Sequence, residues 1–145
     1  MLDLIIKNGK CYIDGELKDV DVAIKDKKIH KIGQISEEAK EIIDASNHTV
    51  LPGCIDTQTH FREPGSTDTE DLHSGSRAAI AGGITSVFEM PNTNPPTSNK
   101  KEFQRKLDLA KNRMYCNYGF YFGATAENAD DLASLKDLEG CCGIK

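Results

Sequence analysis

Residues 51–65 read LPGCIDTQTHFREPG. The first half is short and apolar, and together with the two residues before it predicts a buried strand over residues 49–56. The second half is a polar tip closed by the turn dipeptide Pro64-Gly65. Residues two apart share a face in an extended chain, so Gln58, His60 and Arg62 fall on one side. In barrels built from repeated strand–helix units, functional side chains gather at the C-terminal ends of the strands. The stretch therefore predicts both a fold and the place of a site.

Working downstream, the pattern of strand then helix repeats. Residues 69–82 suit a helix opened by Thr69 as N-cap and closed by Gly82-Gly83. A second strand is predicted over 84–90, then a loop over 91–97 that carries Asn92 and Asn94. Ser98 is read as the cap of a helix over 99–112. A third strand over 114–122, a third helix over 126–138 and a fourth strand beginning at Cys141 complete the series. Three strand–helix repeats argue for parallel βαβ units, each of roughly 30 residues. A complete (β/α)8 barrel needs about 200 residues or more. The expected fold class is thus α/β: a small amino-terminal β-sheet followed by the first three or so units of a barrel, incomplete in this chain.

Working upstream, residues 1–50 have a different texture. Leu2 and Leu4, then Val20, Val22 and Ile24, alternate with polar neighbours as in half-buried strands. Asn8-Gly9 and Asp14-Gly15 are turn dipeptides, and Asp26-Lys27-Lys28 is a polar turn. The region reads as a small antiparallel sheet, taken as the amino-terminal part of a small β-sandwich over 1–50, with the partial barrel over 51–145.

Composition narrows the function. The 145-residue chain is 38% hydrophobic and 28% charged, with a net charge of −5. Without a basic face to neutralise phosphates, nucleic acid is not an expected partner. No apolar run approaches the roughly 18 residues of a membrane span, and no secretory leader pattern opens the sequence. The expectation is a cytoplasmic protein without a membrane partner. The five cysteines, Cys11, Cys54, Cys116, Cys141 and Cys142, form no CxxC pair and read as reduced thiols. His30, His48 and His73 have no partners at ligand spacing and read as surface residues. Gly82-Gly83 lies in no phosphate-loop motif and reads as a helix stop.

At LPGCIDTQTHFREPG, followed by GSRAAIAGGITSVFEMPNTNPPT at 75–97, the sequence resembles the class I dihydroorotases of the amidohydrolase superfamily. The likeness runs from about Leu2 to Lys145 as the amino-terminal part of a longer pattern. The resemblance implies a zinc-dependent cyclic amidase that interconverts dihydroorotate and N-carbamoyl-aspartate in pyrimidine synthesis. Allantoinases and hydantoinases share the barrel and provide the alternative. Arg62 and the Met-Pro-Asn-Thr segment favour the dihydroorotase branch.

The family pattern at the first strand is Asp-x-His-x-His-x-Arg. Asp56, His60 and Arg62 match it, and Gln58 replaces the first metal-ligand histidine. By resemblance, His60 and Lys145 are metal positions, while Arg62 and Asn92 are substrate-binding positions. Read without the resemblance, His60 is a hydrogen-bonded strand-end histidine and Arg62 a solvated charge or a partner of Glu63. Asn92 and Asn94 are then turn formers, and Lys145 a frayed surface lysine. Two later histidines and a catalytic aspartate of the family pattern would lie beyond Lys145, so no catalytic residue is assigned here.

Zinc prefers imidazole, thiolate or carboxylate, and a catalytic zinc takes about three such protein ligands. A neutral amide oxygen suits harder ions. The expectation is therefore a dihydroorotase-like protein that is non-catalytic alone, with weak or absent zinc. The rival expectation is the amino-terminal part of an active zinc dihydroorotase, or of a hydantoinase- or allantoinase-like enzyme. Self-association, or a partner chain such as aspartate transcarbamoylase, is the expected assembly. Dihydroorotate or carbamoyl-aspartate is the expected small molecule if the protein is active.

Overall fold

The computed structural model describes all residues from Met1 to Lys145. The chain divides into two compact units, Met1–Pro52 and Gly53–Lys145.

The first unit contains seven strands: β1 (Leu2–Lys7), β2 (Lys10–Ile13), β3 (Glu16–Asp19), β4 (Asp21–Lys25), β5 (Lys28–Gly33), β6 (Ala39–Asp44) and β7 (Thr49–Val50). They form two sheets, β5-β4-β1-β6 and β3-β2-β7. The turn dipeptides fall where the sequence places them. Asp14 and Gly15 both take positive φ, 53° and 86°, between β2 and β3, and Ile13 pairs with Glu16 across that two-residue turn. Positive φ at both central positions matches the right-handed twist of the strands. The expectation of a purely antiparallel sheet is corrected. β1 runs parallel to β6 and β2 parallel to β7. Their segments are far apart in sequence, so short-range turn signals do not reveal the pairing. Leu2, Ile5, Ala23 and Ile35 form the buried cluster of this unit.

The second unit contains β8 (Cys54–Thr59), α1 (Leu72–Ala81), β9 (Ile84–Glu89), α2 (Lys100–Ala110), β10 (Asn117–Phe122), a 3-10 helix (Ala129–Leu135) and β11 (Cys141–Ile144). The four strands lie side by side in chain order, β8-β9-β10-β11, and every pair is parallel. Sequential parallel neighbours joined by helical crossovers are the arc of a (β/α) barrel. Its core lies where the sheet meets α2: Val87, Phe120 and Phe122 are buried with Phe103, and Phe61 and Leu72 join them. The rings of Phe103 and Phe120 meet edge-on at 6.5 Å.

Several element boundaries differ from the sequence-based expectation, each for a local reason. The strand expected over 49–56 is two strands in different sheets, separated at Pro52-Gly53. A Cβ on Gly53 would lie 2.2 Å from the Thr85 side chain, so the chain passes too close for any other residue. The first helix is capped by Asp71, not Thr69. Thr69 is held in a preceding turn, donating its N–H to the Ser66 carbonyl. Asp71 accepts the Ser74 N–H at 2.6 Å while Ser74 Oγ accepts the Asp71 N–H, a reciprocal capping box. The second helix is capped by Asn99, whose Oδ1 accepts the Glu102 N–H at 2.9 Å. The second helix ends at Ala110 rather than 112, and residues 114–116 do not join the third strand, because the N–H groups of Arg113 and Met114 fold back onto the Ala110 carbonyl. The third helix is a 3-10 segment shorter than the expected 126–138.

Candidate functional site

The candidate site follows from what happens where β8 ends. Burial alternates along residues 58–63: Thr59, Phe61 and Glu63 are buried, Gln58 and Arg62 are exposed, and His60 is half-buried. The three polar residues singled out by spacing therefore share the open side. The strand itself stops at Thr59. At Arg62 the backbone takes φ +61°, a left-handed conformation uncommon for a residue with a side chain. Such outliers persist where the surroundings over-determine the backbone.

Those surroundings are specific. Glu63 is buried and engaged by Arg113 through two hydrogen bonds, of 2.8 and 3.1 Å. Its Oε2 also accepts the Leu72 N–H at the start of α1, at 2.9 Å. Glu63 is therefore taken by Arg113, and Arg62 does not need it as a partner. The Glu63 carboxylate raises the pKa of the Arg113 guanidinium above its ordinary value.

The strand ends are tied to one another by backbone hydrogen bonds. Met90 N–H donates to the Thr59 carbonyl at 2.9 Å, and Asn94 N–H to the Pro64 carbonyl at 3.0 Å. Gly65 packs so closely on Asn94 that a Cβ there would sit 2.8 Å from the Asn94 Cβ. Gly123 N–H donates to the Thr97 carbonyl at 2.8 Å. The Asn128 amide bridges the Ser98 and Gly123 carbonyls at 2.8 and 2.9 Å. At the end of β11, Lys145 donates its N–H to Phe122 and accepts from Ala124. Lys145 is exposed, but its main chain is paired rather than frayed. The loops bearing His60 and Arg62, then Asn92, then residues 123–128, and finally Lys145, form one connected rim.

Beneath the rim lies an ion pair that the sequence did not reveal. Glu89, at the end of β9, and Lys106, on α2, are 1% and 0% exposed, and their charged ends abut. Lys106 Nζ donates to the Met90 carbonyl at 2.9 Å and lies 5.2 Å from the centre of the Phe120 ring. Glu89 Oε2 abuts Lys106 Nζ and has no other partner. Burial pushes the Glu89 carboxyl up to about 7, against the opposing pull of Lys106, the Phe61 amide and Arg62. Burial likewise pushes Lys106 down, with Glu89 opposing. A glutamate near the end of the strand ITSVFEM, next to Phe88 and Met90, was the available signal, but its partner lies 17 residues further along the chain.

The metal positions give a mixed result. No group of three or more His, Cys, Asp or Glu side chains is placed to hold a metal ion. His60 is one imidazole, and Gln58, two residues before it, presents a neutral amide. The residues of this chain do not by themselves fit a catalytic zinc. The cysteines do not fill the gap: burial raises the pKa of the Cys142 thiol to about 11, with its neighbour Cys141 adding to the effect.

An arc of parallel strands in chain order, with polar side chains on a rim at the strand ends, defines the first part of a (β/α) barrel. Residues 49–140 match the Amidohydrolase family, and the chain belongs to that family. The allantoinase of Escherichia coli O1:K1 / APEC is 41% identical over 144 residues, an alignment covering 99% of this chain and 32% of that protein. The allantoinase of E. coli strain SMS-3-5 / SECEC is 42% identical over the same coverage. Among solved structures, L-hydantoinase (dihydropyrimidinase) from Arthrobacter aurescens superposes with a TM-score of 0.90 at 29% identity, covering 99% of this chain and 32% of that one. A D-hydantoinase superposes with a TM-score of 0.83 at 32% identity over the same coverage. The chain thus spans about a third of the length of these relatives. The fold is the small sheet and first barrel units of an amidohydrolase. No helix is long and apolar enough to cross a membrane.

Proposed function

We infer that this sequence belongs to a cyclic-amide amidohydrolase of the allantoinase and hydantoinase kind, with its first metal position disabled. In this reading Met1–Pro52 is the amino-terminal part of a small β-sandwich. Gly53–Lys145 supplies the first strand ends of a cytoplasmic barrel. His60 and Lys145 stand at metal positions, and Arg62 and Asn92 face a ring substrate. The allantoinase relatives favour a cyclic ureide as that ring. The exposed Arg62, left free by the Glu63–Arg113 pair, favours a second reading in which the ring carries a carboxylate, as dihydroorotate does. A second copy or a partner chain, of which aspartate transcarbamoylase is one candidate, would cover the open edges of β8 and β11.

The observation that carries the proposal is Gln58. It stands exposed on the same side of the strand end as His60, where zinc would need an imidazole. Binding a ring through Arg62 and Asn92 holds ground state and transition state about equally, and so gives little rate. The test is ring opening of allantoin, hydantoin and dihydroorotate by the protein with added zinc. No turnover is expected with any of the three. Zinc-dependent turnover that is lost in Arg62→Ala would overturn the non-catalytic reading.

A further inference from the structure

We propose that Glu63 and Arg113 are positioning residues that set the Arg62 turn against the Asn92 loop. The inference rests on the reading that Arg62 and Asn92 face the substrate, and it adds how they are held in register. Arg113 lies just beyond α2, in the turn that folds back onto Ala110. Its guanidinium grips both Glu63 oxygens and also donates to the Leu109 carbonyl at 3.0 Å. Asp71 Oδ2 lies 3.8 Å from the same guanidinium. The Glu63 carboxylate therefore joins three elements: the turn after β8, the start of α1 through Leu72, and the end of α2.

Fixing Glu63 fixes the residues on either side of it. On one side is Arg62 in its left-handed conformation, its carbonyl accepting the Ser66 N–H at 2.9 Å. On the other is Pro64, whose carbonyl accepts the Asn94 N–H at 3.0 Å. Paired N–H···O bonds between a guanidinium and a carboxylate fix orientation as well as distance. A single point charge would not set the turn in the same way. The clamp thus lies outside the site yet determines where a guanidinium and an amide of the site stand relative to each other.

The experiment is site-resolved amide hydrogen exchange on the full polypeptide, comparing Arg113→Met and Arg113→Lys with the parent. Ser66 and Asn94 report on the turn. Met90 and Gly82, whose N–H groups bond to Thr59 and Ala78, report on the surrounding fold. In Arg113→Met, Ser66 and Asn94 are expected to exchange about 10- to 100-fold faster, as for loss of charge-assisted hydrogen bonds. Met90 and Gly82 should change much less. Arg113→Lys, which keeps the charge but not the fork, should recover only part of the protection. Unchanged exchange at Ser66 and Asn94 would overturn the proposal, as would equal acceleration at all four amides. If Arg113→Met does not fold, Glu63→Gln serves: it retains the Leu72 acceptor but weakens the grip, and slow exchange like the parent's at Ser66 and Asn94 would overturn the proposal equally. The readout needs no substrate, so it is independent of whether the protein binds or opens a ring.

Discussion

Lys106→Met tests the buried ion pair beneath the rim. Both side chains are essentially without solvent contact, at 0% and 1% exposure, so water cannot take over the role of the missing partner. Removing one member of a buried pair leaves an uncompensated charge and costs about 3–5 kcal/mol. The variant also loses the donor to the Met90 carbonyl. The cost depends on pH in a definite direction. The folded-state pKa of Glu89 is about 7, against 4.5 as its ordinary value. A carboxyl with a raised folded pKa contributes stability that is complete below about 4.5 and is lost as pH rises through about 7. Without Lys106 the carboxyl is driven further up, because the opposing positive charge is gone. The loss should therefore be near its full size at pH 8 and clearly smaller at pH 5, where Glu89 takes a proton. Urea unfolding followed by circular dichroism provides the assay, with a slope of about 1–3 kcal/mol per M translating the loss into a midpoint shift of roughly 1–5 M. The double variant Glu89→Leu/Lys106→Met removes both charges and should lie within about 1 kcal/mol of the parent or above it. A loss below about 1 kcal/mol at pH 8, or an equal loss at both pH values, would refute the reasoning.

Two further substitutions probe how the site-bearing turn is supported. Gly75→Ala would place a Cβ 2.5 Å from the Phe61 ring, so it should destabilise the second unit by about 1–3 kcal/mol, although alanine is the better helix former; thermal unfolding measures it. Asp71→Ala removes the N-cap acceptor of α1 and should cost about 1 kcal/mol in urea unfolding. The Ser74 N–H and hydroxyl lower the Asp71 pKa, so the capping contribution should fade as pH falls through that lowered value, and the two proteins should converge in acid.

How much of this was legible in the sequence depends on the range of the interaction. The open side of Gln58, His60 and Arg62 follows from a period of two, which is local and readable, whereas the strand runs on to Thr59 past its expected end at Asp56. The two-residue turn at Asp14-Gly15 is equally local, because only certain residues accept its positive φ. Helix starts were less legible. Thr69 and Asp71 are both good caps, and the choice between them was made by a turn that had already engaged Thr69. The supports of the site were hidden altogether. Glu63 and Arg113 are 50 residues apart, and no periodicity links a carboxylate after one strand to a guanidinium after the next helix. The likeness to dihydroorotases led to the correct family, while the relatives found are allantoinases and hydantoinases. What the residues marked was therefore the amidohydrolase family and not the particular branch within it.

The central claim is that Gln58 disables a metal position of an amidohydrolase. Zinc content after dialysis, measured by elemental analysis on the parent protein and on Gln58→His, tests it most directly. The account predicts well under one zinc per chain for the parent, because His60 is its one imidazole at the motif, and a higher content for Gln58→His. Two firmly held zinc ions per chain in the parent, or no gain on restoring the histidine, would contradict it.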